Sequence, residues 1–190
     1  VVVLNGTSTA YEIKSERDSL FRLKNQIENY RQVFATVNVE VSKSHLSGVL
    51  QIATEDVGVI TLSERFRFQT VRAPQSHPER VIPTMILDIL RLDEATAILS
   101  HLGQEIPNVP NTRIRSELRR AFAKLEPMTV HNEMVKTLKA SRTQAGLASF
   151  VSSIPNSVRA ASIAANPTPK NRVRIKEAVD TPLVEALAWI

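Results

Sequence analysis

The chain opens on an apolar, β-branched run, Val1–Leu4, that stops at Asn5-Gly6. Both residues of an Asn-Gly pair tolerate positive φ, so the pair predicts a hairpin turn. The segment Thr9-Ala10-Tyr11-Glu12-Ile13-Lys14 alternates as the returning strand. A side-chain period of two puts Glu12 and Lys14 on one face and Tyr11 and Ile13 on the other. The period then lengthens. Leu20, Leu23, Ile27, Tyr30 and Phe34 recur at helical spacing and predict a helix over about 18–35, with Asp18 or Ser15 as N-cap. Thr36–Val41 alternates again, residues 45–53 suit a short helix, Val57–Leu62 reads as a buried strand and Phe66–Val71 as a further one. This order describes a small mixed sheet with crossover helices, an α/β arrangement.

After Ala73–Pro78 the pattern is helical, and a boundary is expected there: residues 1–75 as an α/β core, residues 76–190 as a helical domain or extension. Pro83 opens a helix, Leu92-Asp93 supplies a staple and an N-cap for another that ends near Gly103, and Ile114, Leu118, Phe122 and Leu125 line a third. Val130, Met134 and Leu138 line the next, with Thr129 as its cap. Residues 146–165 are Ala- and Ser-rich and 166–169 read as a loop. Leu183, Val184, Leu187 and the single Trp189 suit docking on a core or a partner better than ligand binding.

Composition narrows the chemistry. The 190 residues contain no cysteine, which removes disulfides, thiol catalysis and Cys-ligated metal, and suits a reducing, cytoplasmic setting. No run approaches the ~18 apolar residues of a membrane span. The net charge is +5, and it is uneven: nine basic and eight acidic residues lie in 1–75, fifteen and eleven in the remainder. Residues 142–176 hold six Lys/Arg and no acid, which suits either a solvated face or a phosphate-contacting surface. His45, His77, His101 and His131 show no metal-binding spacing, and neither a P-loop nor a G-x-S-x-G elbow is present.

The segment with chemical content is Glu12-Ile13-Lys14 followed by a helix carrying Gln26 and Tyr30. Those two are four apart, hence neighbours beside the apolar stripe, with polar ends able to reach the strand. This arrangement resembles the PD-(D/E)XK, restriction-endonuclease-like nuclease superfamily, in its Gln-x-x-x-Tyr (RecB-like) branch. The run YEIKSERDSLFRLKNQIENYRQVF is similar to a bacterial family within that superfamily, over roughly residues 1–140. The resemblance implies a Mg²⁺- or Mn²⁺-dependent nuclease acting on DNA. Glu12 and the Ile13 carbonyl would ligate the metal, Lys14 would orient water and stabilise charge, Gln26 and Tyr30 would support the site, and Arg22 and Arg31 would contact phosphate. The superfamily also places an Asp on the preceding strand, about ten to fifteen residues before the Glu, whereas no acid precedes Glu12 here. The chain lacks an initiator Met, so the expectation is a core missing its first elements, with the Asp upstream of Val1. Asp18 suits a cap better than a substitute ligand. The alternatives are a catalytically inactive nucleic-acid-binding or scaffold protein of the same fold, and a basic helical interaction module.

Overall fold

The computed structural model describes residues 1–63, 65, 67–142, 145–182 and 185. The expectations for Phe66, Leu183, Val184, Leu187 and Trp189 lie outside the described residues. The chain divides into two compact units, Val1–Ser141 and Arg142–Ile190.

In the first unit, strands β1 (Val2–Asn5), β2 (Thr7–Lys14), β3 (Thr36–Ser42), β4 (Gly58–Leu62) and β5 (Phe68–Arg72) form a sheet in the order β1-β2-β3-β4-β5. The outer pairs are antiparallel, while β2–β3 and β3–β4 are parallel. Gly6 closes the first hairpin at φ 72°, the left-handed region that the Asn-Gly signal called for. Helices α1 (Leu23–Arg31) and α2 (Leu46–Ile52) make the two parallel crossovers. Both cover one face of the sheet, where Leu23, Ile27 and Val49 bury against Val37, Val39, Val41 and Val59. Gly58 is required by close approach: a Cβ there would lie 2.0 Å from the Asn38 side chain.

The helix after β2 is shorter than the expected 18–35. Ser15 donates to Asp18 Oδ2 from both its backbone N–H and its hydroxyl, each at 2.7 Å. These local bonds hold a turn in place of a first helical turn. Asp18 therefore closes a turn and does not cap α1, whose N-cap position is Arg22.

Helices α3 (Pro83–Ile89), α4 (Leu92–His101), α5 (Asn111–Phe122) and α6 (Pro127–Ser141) complete this unit. Pro83 opens α3 as expected. Two caps differ from the sequence reading. Glu94, not Asp93, receives the Arg91 N–H at 2.8 Å, and Glu126, not Thr129, receives the N–H groups of Met128 and Thr129 at 3.0 and 2.6 Å. In α4 the glutamate at the third helical position reaches back to the N–H of the N-cap residue Arg91, and at α6 the Glu126 carboxylate offers two acceptor oxygens to the orphan donors of the first turn. Arg115 of α5 donates to the Leu87 and Leu90 carbonyls, both at 3.1 Å, and so satisfies the end of α3.

The composition shift near residue 75 falls inside this unit. Ala10, Val33 and Phe34 from the sheet side share a buried cluster with Ile86, Ile98, Leu118, Phe122 and Met134 from the helices. His77 N–H donates to Ala35 O and Ile82 N–H to Gln32 O, both at 2.8 Å, which binds the connecting segment to the end of α1.

A buried polar seam also joins β2 to α6. Ser8 Oγ accepts the Ala35 N–H at 3.0 Å and lies 2.8 Å from His131 Nε2. The hydroxyl can also donate, and the other ring nitrogen, Nδ1, lies 3.4 Å from the Asn132 side-chain oxygen. Burial pushes the His131 pKa down from 6.5, against a smaller opposing pull from the Asn132 side chain. The unfolded state then binds the proton more readily, so stability is complete above pH 6.5 and falls as the pH drops below it. Urea unfolding of the wild type is expected to lose stability between pH 7 and pH 5, by at most about 1.4 kcal/mol per pH unit from this one group. A His131→Gln variant should lack that part of the slope. An identical pH profile for the two proteins contradicts the linkage.

In the second unit, α7 (Ala145–Ser152), α8 (Asn156–Ala165) and α9 (Pro169–Asp180) follow one another. Asn166 ends α8 at φ 42°, a left-handed conformation that Asn tolerates. The basic surplus of this region is partly structural. Arg159 donates to the Ile154 and Ser152 carbonyls, Arg172 to the Pro167 carbonyl, and Lys176 pairs with Asp180.

Candidate active site

Strand β2 and helix α1 bring four polar side chains together. Lys14 Nζ lies 3.0 Å from Glu12 Oε1 and donates to Gln26 Oε1 at 2.9 Å. The Tyr30 hydroxyl donates to the other Glu12 oxygen, Oε2, at 2.9 Å. The construction is simple. Residues 12 and 14 share a strand face. Residues 26 and 30 share a helix face one turn apart. The parallel crossover lays that helix on that face, with Glu12 beside Val39 and Lys14 beside Val41.

The pair is largely withdrawn from solvent, its side chains only 9% and 12% exposed. Burial, then the bond to Glu12, raises the Tyr30 phenol above its ordinary pKa, which keeps it a proton donor at neutral pH. Tyr30 also packs against both apolar clusters of the unit, and its ring lies 6.3 Å from that of Phe34. The position of Glu12 is thereby tied to the packing of α1.

The two arginines are placed differently. Arg31 pairs with Glu28 at 2.8 Å and with Asp56 at 3.2 Å, and Asp56 also holds Arg80. Burial pushes the Asp56 carboxyl up, but the Thr54 hydroxyl and the Arg80 and Arg31 guanidiniums outweigh it and hold the group at about 2. Arg31 thus braces α1 against the loop before β4. Arg22 is exposed at the entry to α1, next to Phe21, which is 92% exposed.

Against the Glu12–Lys14 cluster lies a crevice of about 660 Å³ at the carboxyl ends of β2, β3 and β4. It is lined by Ile13, Lys14, Glu40, Ser42, Leu62 and Phe68, among others. Lys14 belongs to both the crevice and the cluster. Glu40, Leu62 and Phe68 carried no signal along the chain, because only the pairing of β3, β4 and β5 brings them to Ile13.

A family model described as bacteriophage P4 protein cII matches residues 1–165. The chain belongs to this family. The cII match takes in the whole first unit together with α7 and α8, so the cluster and the crevice both lie within the family's region. No curated protein and no solved structure matches the chain.

The donor set bears on a metal. Among the described residues, no three His, Asp or Glu side chains converge on a metal-sized site. Glu12 is the one carboxylate of the cluster, and the Ile13 carbonyl is the next oxygen along the strand. Mg²⁺ is commonly held by one or two carboxylates, with water and substrate phosphate completing its shell. Both Glu12 oxygens are engaged, Oε1 with Lys14 and Oε2 with Tyr30, so a cation held at this carboxylate would share it with those two partners. No helix among the described residues is long and apolar enough to cross a membrane.

Proposed function

We propose that this protein is a metal-dependent nuclease of the PD-(D/E)XK type that hydrolyses phosphodiester bonds, with DNA as substrate. The observation that supports it is the Glu12–Lys14–Gln26–Tyr30 cluster. Glu-x-Lys ends a hairpin strand, and Gln-x-x-x-Tyr on the next helix hydrogen-bonds to both members of it. Glu12 and the Ile13 carbonyl would hold Mg²⁺ or Mn²⁺, which when bound supplies Lewis-acid polarisation of the phosphoryl oxygens.

The chain's own groups do the rest. Tyr30 holds one Glu12 oxygen through its hydroxyl. Gln26 fixes Lys14 Nζ in place, and the ammonium stabilises the charge that grows on the phosphoryl oxygens as water attacks and the P–O bond breaks.

The test is Mg²⁺-dependent cleavage of plasmid and linear DNA by the purified full-length protein. Glu12→Ala is expected to lower the rate by about two orders of magnitude or more, in line with the loss of one site-building charge. DNA that stays intact under every divalent cation tried, while binding to the protein with a steep salt dependence, overturns hydrolysis in favour of a binding protein of the same fold.

A further inference from the structure

The sheet face opposite α1 and α2 carries an apolar strip at its carboxyl end. The pairing sets Ile13 beside Glu40, and Leu62 between Ser42 and Phe68. Ile13 is 56% exposed, Leu62 38% and Phe68 66%. Together they line the crevice next to Lys14. Its volume of about 660 Å³ lies within the ~300–1,000 Å³ range of small-ligand sites.

Three cations lie at or near its rim. Lys43 lines the crevice, and the β4–β5 turn beside it carries exposed Arg65 and Arg67. None of these three side chains has an ion-pair or hydrogen-bond partner among the described residues. Two acids, Glu16 and Glu40, also line it. An aromatic ring on an apolar floor, edged by unpaired cations and by the Ser42 and Ser44 hydroxyls, matches the two halves of a nucleotide. The ring offers a stacking surface to a base, while the cations and hydroxyls serve its phosphate. A duplex keeps its bases stacked on one another, so only an unpaired base can lie on Phe68.

We infer that the Ile13–Leu62–Phe68 crevice binds one unpaired nucleotide of the substrate strand, so that the protein takes single-stranded or frayed nucleic acid in preference to intact duplex. The inference deepens the nuclease reading and rests on it for the direction of the strand past Lys14. Phe68 stacks the base, Ile13 and Leu62 exclude water beneath it, and Lys43, Arg65 and Arg67 hold the flanking phosphates.

The experiment is fluorescence anisotropy in EDTA, where no cleavage occurs, with a labelled single-stranded oligodeoxynucleotide and its duplex. Phe68→Ala is expected to weaken single-strand binding about tenfold, and Phe68→Trp to restore it, because base–aromatic stacking is sequence-tolerant and contributes about that much. Duplex binding should not change in either variant. Lys43→Gln should lower the salt slope of single-strand binding by about 0.7. Phe68 is mostly exposed, so these variants should fold.

Equal single-strand affinity for wild type and Phe68→Ala overturns the inference, as does an equal loss on both substrates. So does a Phe68→Ala variant that binds normally but changes sedimentation mass, since the strip is then an interface between copies. The two readings fail separately. Glu12-dependent cleavage with unaltered binding by Phe68→Ala removes the nucleotide site alone. Phe68-dependent binding without cleavage removes hydrolysis alone.

Discussion

Lys14→Met is expected to abolish metal-dependent cleavage, by about 10²-fold or more, because it removes the charge that faces the developing phosphoryl oxyanion. It also leaves Glu12 buried without its partner. Removing one member of a largely buried pair costs up to about 3 kcal/mol, so lost activity alone would not separate chemistry from folding. A second variant does. Glu12→Gln with Lys14→Met removes both charges together and keeps an amide oxygen for the Tyr30 hydroxyl. Most of the lost stability should return in this double variant, measured by urea unfolding, while activity stays absent. Retained cleavage in Lys14→Met would make the pair an ordinary buried ion pair. Recovered cleavage in the double variant would do the same.

Phe122→Ala is expected to produce the largest loss of stability. The ring is fully buried in the cluster that joins the sheet side to the helices. Phe-to-Ala changes at such sites cost about 3–5 kcal/mol. For a unit of this size that lowers the melting temperature by roughly 10 °C. The informative measurement is residue-resolved hydrogen exchange. Amides of β2 and β3 should lose protection together with those of α3, α5 and α6, because Ala10, Val33 and Phe34 share the damaged core. Strands that keep their protection while the helices lose theirs would restore residue 75 as a folding boundary.

Much of the candidate site was legible because it depends on two local periods. The strand period put Glu12 and Lys14 on one face, and the helix period put Gln26 and Tyr30 within reach of it. The five-stranded mixed sheet, its crossover helices and the later helical run also followed from pattern. What escaped depends on competition or on distance. The start of α1 was misplaced because Asp18 found Ser15. At α4 the N-cap position is Arg91, whose N–H is held by Glu94 three residues on, and at α6 the Glu126 carboxylate takes the first-turn N–H groups. Arg31 reads as a free cation along the chain, yet Asp56 claims it from 25 residues away. Phe68 acquires meaning only once its register with Leu62 is known.

The two polar seams of the first unit differ in span, and that difference sets the order in which they close. Tyr30 and Glu12 are 18 residues apart, whereas Ser8 and His131 are 123 apart. Chain-closure entropy grows with the logarithm of loop length, so the longer closure costs about 1.7 kcal/mol more than the shorter. The Glu12 cluster is thus a near-neighbour arrangement that an emerging chain can assemble as soon as β2 and α1 are available. The Ser8–His131 clasp must wait for α6 to return to the start of the chain. Mild acid protonates the histidine of that second clasp, and so acts on the contact that is slowest to be made again.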